Sequence, residues 1–303
     1  TVIPYYKKWI KKYPTLKSFK ESNFDDVIKI WEGLGYYSRC HNMFNAAKLI
    51  NSTFPNNYKD LINLPGIGDY TAKTILAIAF KKNFVGIDTN LERIGYRILG
   101  LKTKTKRNQK RVVEYLEESQ CTNNPGDYNE ALMDLGSSLC KSSITYCNRC
   151  PLKKICKAYA SSSPTLYPTP KVSKKIPIYD IAVSVVKYQN KILITKRLNK
   201  NFLPGLWEFP GGKIEKNETA VQAIIREVKE ETNLTVSNPI FLGNITHKYS
   251  HFGVNISLFI SFPKSIKSFN SSQEYRWIRM KDILNYPLPK ANHKMLDILK
   301  KLD

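Results

Sequence analysis

Four cysteines, Cys140, Cys147, Cys150 and Cys156, fall within 17 residues of a chain that carries only two others, Cys40 and Cys121. A clustered set of this kind, in a chain with no visible signal peptide, reads as metal ligation rather than as disulfides. Four thiolates can hold a cubane [4Fe–4S] cluster or a tetrahedral zinc ion, and the x6, x2, x5 spacing alone does not decide between them. The chain starts at Thr1 rather than at Met, so its natural N-terminus is expected further upstream.

The cysteine loop closes a stretch whose apolar residues recur at helical spacing. Val27, Ile28, Ile30, Trp31 and Leu34 form one such group; Leu61, Ile62 and Leu64 a second; Ile75, Leu76 and Ile78 a third. Residues 157–178 then change character. Ser161-Ser162-Ser163-Pro164, Pro168, Pro170 and Pro177 sit among lysines, the composition of a solvated linker. From Ile181 the pattern is strand-like: Ile181–Val186, a polar turn at Gln189-Asn190, then Ile192-Leu193-Ile194, a hairpin. Further strands are expected at 239–245 and 254–262, with a helix at 219–232. At 303 residues the chain exceeds what one core usually supports. The expected architecture is therefore multidomain: an all-α domain over 1–156 ending in the cysteine loop (140–156), a linker over 157–178, and an α+β domain over 179–303.

Charge narrows the partners. Forty-eight Lys and Arg against twenty-five Asp and Glu give a formal net charge of +23. An excess of this size suits a polyanion, because each phosphate neutralised releases condensed counterions. No run of about 20 apolar residues is present, so no membrane span is expected.

Leu64-Pro65-Gly66-Ile67-Gly68 lies between two helical segments. Two glycines in such a turn leave backbone N–H groups free at a helix N-terminus, where a DNA phosphate can be held without any base contact. Gly86-Ile87-Asp88-Thr89-Asn90-Leu91-Glu92-Arg93 follows about 20 residues on, and Asp88 by itself fits a helix N-cap. Together the two segments resemble the helix-hairpin-helix DNA glycosylase superfamily, in which the matching aspartate is catalytic. The cysteine spacing resembles the cluster loop of the endonuclease III and MutY families, and this favours iron–sulfur over zinc.

Within that superfamily one branch attacks the sugar with a lysine two residues after the second glycine of the hairpin. Tyr70 stands at that position here, and a phenol cannot form a Schiff base. Asn90 matches the MutY pattern, whereas Thr89 departs from its usual glycine. Trp31-Glu32-Gly33-Leu34-Gly35-Tyr36-Tyr37-Ser38-Arg39 closely resembles the MutY segment whose first tyrosine wedges beside oxidised guanine, and Asn129–Gly136 resembles the same family. The glutamate that protonates adenine in that family lies upstream of the segment matching Thr1–Pro4, so no acidic residue of this sequence is given its role.

Gly212, Glu218, Arg226, Glu227, Glu230 and Glu231 fit the Nudix box G-x5-E-x7-R-E-U-x-E-E, with Val228 and Leu234 at aliphatic positions. Asn233 replaces the last glycine and is tolerated because asparagine also visits the left-handed region. Glu227, Glu230 and Glu231 share a helix face that can bind Mg²⁺ beside a diphosphate. Leu206–Glu215 and Leu288–Asn292 resemble the MutT nucleotide hydrolases. Thr246–Phe252, with Tyr249-Ser250-His251, resembles the MutY loop that reads 8-oxoguanine.

The resemblance implies a monofunctional glycosylase that removes adenine paired with 8-oxoguanine or guanine in double-stranded DNA, with a [4Fe–4S] cluster on Cys140, Cys147, Cys150 and Cys156. Catalysis would fall to Asp88 and Asn90. DNA and the lesion would be held by Tyr36, Leu64, Gly66, Gly68, Tyr70, Tyr249, Ser250 and His251. A monomer in the bacterial cytoplasm, associated with the nucleoid, is expected. The alternatives are a glycosylase/lyase of the endonuclease III type, a Nudix hydrolase of oxidised dGTP (alone or as a second activity), and a DNA-binding protein without catalysis.

Overall fold

A computed structural model describes residues 2–51, 53–170, 175–198, 202–249 and 251–301. The helices of the first half are α1 (Ile3–Lys12), α2 (Leu16–Lys20), α3 (Phe24–Trp31), α4 (Tyr37–Leu49), α5 (Tyr58–Ile62), α6 (Asp69–Phe80), α7 (Thr89–Ile98), α8 (Lys106–Glu118), α9 (Pro125–Ser138) and α10 (Lys157–Ala160). Then come β1 (Ile178–Tyr188), β2 (Lys191–Lys196), β3 (Trp207–Glu208), β4 (Gly211–Lys213), α11 (Ala220–Thr232), β5 (Val236–Lys248), β6 (Gly253–Pro263), β7 (Tyr275–Ile278) and α12 (Lys290–Leu299). All-helical structure thus precedes a mixed α+β half, as expected. Among the described residues no helix is long and apolar enough to cross a membrane.

The chain divides into two compact units, one of residues 1–47 with 174–303 and the other of residues 48–173. Secondary structure changes character near residue 178, but packing groups α1–α3 and most of α4 with the mixed half. The reason is a shared core: Tyr13, Phe19, Val27, Ile28, Cys40 and Phe44 close around Leu206, which comes from the segment just before β3.

The 48–173 unit is built around α7. Leu91, Ile94 and Ile98 recur on one face and pack against Val112 and Leu116 of α8 and Leu132 and Leu135 of α9. Each such side chain, fully buried, contributes roughly 1.5–3 kcal/mol. In α6 the buried stripe is Ala72, Leu76 and Ala77, whereas Ile78 is exposed. Residues 157–170, expected as solvated linker, instead form α10 and a 3₁₀ turn (Pro164–Leu166). Thr169 N–H donates to Lys102 O, and the Tyr167 carbonyl is held by Arg97.

In the other unit the sheet order is β3-β2-β1-β6-β5, with β4 paired to β1 and β7 to β2. The β1–β2 hairpin turns at Gln189-Asn190, as the sequence indicates. The central β1–β6 pair is parallel. Alternation along β1 separates two cores: Val183 and Val185 face α12, and Ala182 and Val186 face α11. The α11 helix begins at the Thr219 capping box and ends on Asn233 at φ 55°, ψ 13°. Asparagine thus takes the left-handed position where the Nudix box usually has glycine.

Candidate active site

Between α5 and α6 the chain turns through Leu64-Pro65-Gly66-Ile67-Gly68. Leu64 is buried and pins the turn, and Gly66 sits at φ +78°, where a side chain would be strained. Gly66 and Gly68 are exposed, and a Cβ built on Gly68 would meet nothing within 4 Å. The amide-bearing N-terminus of α6 is therefore open to solvent. Tyr70, in its first turn, is 38% exposed.

Asp88 is the N-cap of α7. Its Oδ1 accepts from the N–H groups of Asn90 and Leu91, both at 2.8 Å, and its Oδ2 accepts from Asn90 Nδ2 at 2.9 Å. Asn90 Oδ1 in turn accepts from Arg93 Nη2 at 2.9 Å, and Arg93 also donates to Gly136 O and Cys140 O. The approach to Asp88 is fixed by Asn129 of α9, fully buried, whose Oδ1 accepts from Gly86 N–H and whose Nδ2 donates to Phe84 O and Pro125 O. Arg93 lies three residues after Asn90, so helical spacing alone could have paired them.

The four cysteines line a single pocket together with Arg97 and Tyr159. Among the described residues no three His, Cys, Asp or Glu side chains are arranged to grip one metal ion. Arg97, 2% exposed, donates to the carbonyls of Tyr167, Cys140, Lys141 and Ser142 and to Cys140 Sγ at 3.0 Å. Local spacing assigns Arg97 no role, because its partners lie more than forty residues away. Lys141, Arg149, Lys153 and Lys154 of the loop are all exposed.

Tyr36 belongs to the other unit. It is 66% exposed at φ 48°, in a loop where Gly33 and Gly35 are also left-handed, and the Arg39 guanidinium lies 4.9 Å from its ring centre.

In the mixed half, Arg226 gathers the Nudix residues. It donates to Glu218 at 2.9 Å, to Glu227 at 2.9 Å and to Glu230 at 3.2 Å. A Cβ on Gly212 would lie 2.1 Å from Glu227 Oε1, so any side chain there would displace that carboxylate. Burial, reinforced by Glu208 and Glu227, pushes the Glu231 carboxyl up to about 8. Glu208 is pushed up to about 7 by burial, against the pull of Arg197, with which it is ion-paired. Glu231 and Glu208 line a cavity of about 480 Å³ with Arg197, Tyr249, Phe202 and Asn292. Asn292 is 4% exposed and its Nδ2 has no hydrogen-bond partner among the described residues. Tyr249 packs against both Phe202 and Phe252, which also touch each other, and its hydroxyl is pushed up to about 12 by burial. His251 is exposed, and Ser250 lies outside the described residues.

Helical hairpin, capped aspartate, cysteine loop and Nudix helix define a class, and known families match it. The family described as HhH-GPD superfamily base excision DNA repair protein matches residues 1–118, and the NUDIX domain matches residues 181–297. An adenine DNA glycosylase of Buchnera aphidicola subsp. Acyrthosiphon pisum is 32% identical over 99% of this chain and 86% of its own. The human adenine DNA glycosylase is 26% identical over 86% of this chain and 57% of its own. A solved thermostable thymine-DNA glycosylase aligns over 53% of this chain and 76% of its own, at 24% identity and a TM-score of 0.48. The chain belongs to the MutY family of adenine DNA glycosylases, with a Nudix domain as its C-terminal part.

Proposed function

We propose that this protein is a monofunctional glycosylase that releases adenine from duplex DNA where it faces 8-oxoguanine or guanine, acting as a monomer in the bacterial cytoplasm. The observation that carries the reading is the Asp88 carboxylate, held on both oxygens at the start of α7. Adenine must leave the stack before its glycosidic bond can be reached. As the C1′–N9 bond breaks, the bonding pair departs with the base, which takes up a proton, and positive charge grows on the sugar. A fixed carboxylate stabilises that charge without reorganising. Water then adds its oxygen to C1′ and gives up one proton, which balances the one taken by the base, and an abasic site is left, with Asn90 ordering the carboxylate. Leu64, Gly66 and Gly68 present backbone to phosphate. Tyr70 offers no amine, so no imine to the sugar forms and the strand stays intact. Tyr36 fills the disturbed stack, and Tyr249, Ser250 and His251 read the opposite base.

The residues around the cysteine pocket fit an iron–sulfur cluster. Among the described residues that line the pocket, the donor set is four thiols and no carboxylate, and Arg97 supplies a hydrogen bond to one sulfur. Cys140, Cys147, Cys150 and Cys156 would hold the cluster, its iron–thiolate bonds would tie residues 140–156 together, and the exposed Lys141, Arg149, Lys153 and Lys154 are the residues placed to meet phosphate.

The test is a duplex with adenine opposite 8-oxoguanine, incubated with the full-length protein. Free adenine should appear, and the strand should break only after alkali. Borohydride trapping of a protein–DNA adduct at the rate of excision would overturn the monofunctional reading.

A second activity is favoured by the assembled Nudix box, Arg226 with Glu218, Glu227 and Glu230 beside Gly212. Glu227, Glu230 and Glu231 would hold Mg²⁺, which polarises a diphosphate toward attack by water. Asn292 lines the cavity, and its Nδ2, unpartnered among the described residues, would donate to a purine such as that of 8-oxo-dGTP. Because α1–α4 share a core with Leu206, the assay calls for the whole chain rather than the Nudix domain alone. Pyrophosphate release that is equally slow in wild type and Glu230→Gln would leave the domain as a reader of DNA only.

A further inference from the structure

Tyr36 sits in a loop that a free chain would not adopt. Gly33 at φ +96°, Gly35 at φ +76° and Tyr36 at φ +48° place three left-handed residues within four positions. Tyr36 is the only one of the three with a side chain, and its conformation costs on the order of 1 kcal/mol unless the surroundings over-determine it. Two local contacts help: Trp31 Nε1 donates to Gly35 O at 2.9 Å, and Gly33 N–H donates to the Tyr37 hydroxyl at 3.1 Å.

The third contact is distant in sequence. Glu32, at the C-terminus of α3, is 15% exposed and accepts three donors at once. Lys29 Nζ lies at 2.6 Å, Leu288 N–H at 3.0 Å and His293 Nε2 at 2.5 Å. Lys29 also donates to Tyr286 O at 2.9 Å, so both side chains of this α3 turn grip residues 286–293. A neutral His293 that donates here must carry its proton on Nε2. The same short stretch serves the Nudix cavity, because Asn292, next to His293, lines it. Cavity and wedge loop therefore rest on one turn of α12.

We propose that Glu32 and His293 form a positioning pair that fixes the Tyr36 loop on the turn of α12 lining the lesion-reading cavity, so that insertion of Tyr36 and recognition of the opposite base occur as one event. The proposal rests on two readings, Tyr36 as the stacking wedge and the cavity lined by Tyr249 as the reader of the opposite base. Neither residue touches DNA in it; both act through the loop. The consequence is specificity. A floating loop would insert beside guanine and 8-oxoguanine alike, whereas a loop tied to the reading cavity favours the base that fills it.

The experiment uses the full-length holoprotein and a duplex with 2-aminopurine next to 8-oxoguanine, whose fluorescence rises when the stack is opened. Binding is recorded for wild type, His293→Ala, His293→Gln and Tyr36→Ala, alongside single-turnover excision opposite 8-oxoguanine and opposite guanine. His293→Ala should lose roughly fivefold of the fluorescence rise and of the preference for 8-oxoguanine. His293→Gln, which keeps a donor toward Glu32, should recover most of both, and affinity for undamaged duplex should stay as in wild type. An unchanged rise in His293→Ala, with Tyr36→Ala effective, overturns the positioning pair alone. An unchanged rise in Tyr36→Ala overturns the wedge reading and the proposal with it. If His293→Ala lowers melting temperature and affinity for undamaged duplex in step with fluorescence, and His293→Gln restores none of them, the pair is merely structural and the proposal falls.

Discussion

Asn90 turns its side-chain amide back onto Asp88, two residues before it, and donates to Oδ2 at 2.9 Å while its own backbone N–H donates to Oδ1 at 2.8 Å. One residue thus holds both oxygens of the carboxylate, and the same residue is held by Arg93. This arrangement separates charge from helix capping. Asparagine caps a helix about as well as aspartate, so Asp88→Asn removes the negative charge at little cost to α7. Adenine excision should fall by at least roughly 100-fold, the scale of one lost electrostatic stabiliser. DNA affinity should largely survive. Unchanged single-turnover excision would remove Asp88 from the chemistry.

Gly136 of α9 leaves the space that Asn90 occupies. A Cβ there would lie 2.7 Å from Asn90 Cβ and 3.5 Å from Arg93 Nη2. Alanine is the better helix former, by about 1 kcal/mol. Gly136→Ala is nevertheless expected to slow excision by roughly tenfold or more, since a hydrogen bond to a charged group contributes about 1.5–3 kcal/mol. A gain in stability with full activity would show that Asn90 can move without consequence.

Arg97 ties the cysteine loop to α7 through four hydrogen bonds and holds the Tyr167 carbonyl with a fifth, all from one planar fork. Lysine keeps the charge but offers a point donor with no fork. Arg97→Lys should therefore lower stability by roughly 2–4 kcal/mol, through carbonyls left without donors in a buried setting. Iron content is the second readout. Wild type should carry about four iron atoms per chain, as a [4Fe–4S] cluster requires, and the variant clearly fewer. Stoichiometric zinc without iron in wild type would overturn the cluster assignment.

Burial alone would raise the Glu32 carboxyl, but the donors His293, Lys29 and Leu288 N–H outweigh it and hold the group below its ordinary 4.5. A depressed carboxyl stabilises the fold fully above its unfolded pKa, and that contribution is lost as pH falls through the lower folded value. The melting temperature of wild type should therefore drop more steeply than that of Glu32→Gln on acidification below about 4.5. Parallel curves for the two proteins would mean that Glu32 adds nothing through its charge.

Features set by near neighbours along the chain are legible in the amino-acid sequence itself. The capping role of Asp88, the helix of the Nudix box and its end on left-handed Asn233, the β1–β2 hairpin turn and the glycine turn at Gly66–Gly68 all follow from local sterics and local hydrogen bonds. So do the strands at 239–245 and 254–262, although β5 and β6 extend past both. Alternation shows which residues face a core but not where pairing stops, and β5 carries two irregularities, between Ser237 and Ile240 and between Phe241 and Gly243, that no local pattern announces.

Tertiary structure alone decided the rest. The parallel pairing of β1 with β6, the closure of α1–α4 around Leu206, the fork of Arg97 over the cysteine loop and the meeting of Glu32 with His293, 261 residues apart, leave no periodic trace. In each case the partner is a backbone carbonyl, a buried leucine or one of four histidines, groups too common for a sequence to mark. Residue type and spacing fix what a segment can do with its own neighbours. Which distant segment satisfies a buried donor, acceptor or apolar face is settled only when the whole chain competes for the same interior, because an unmatched polar group there costs more than the contact it displaces.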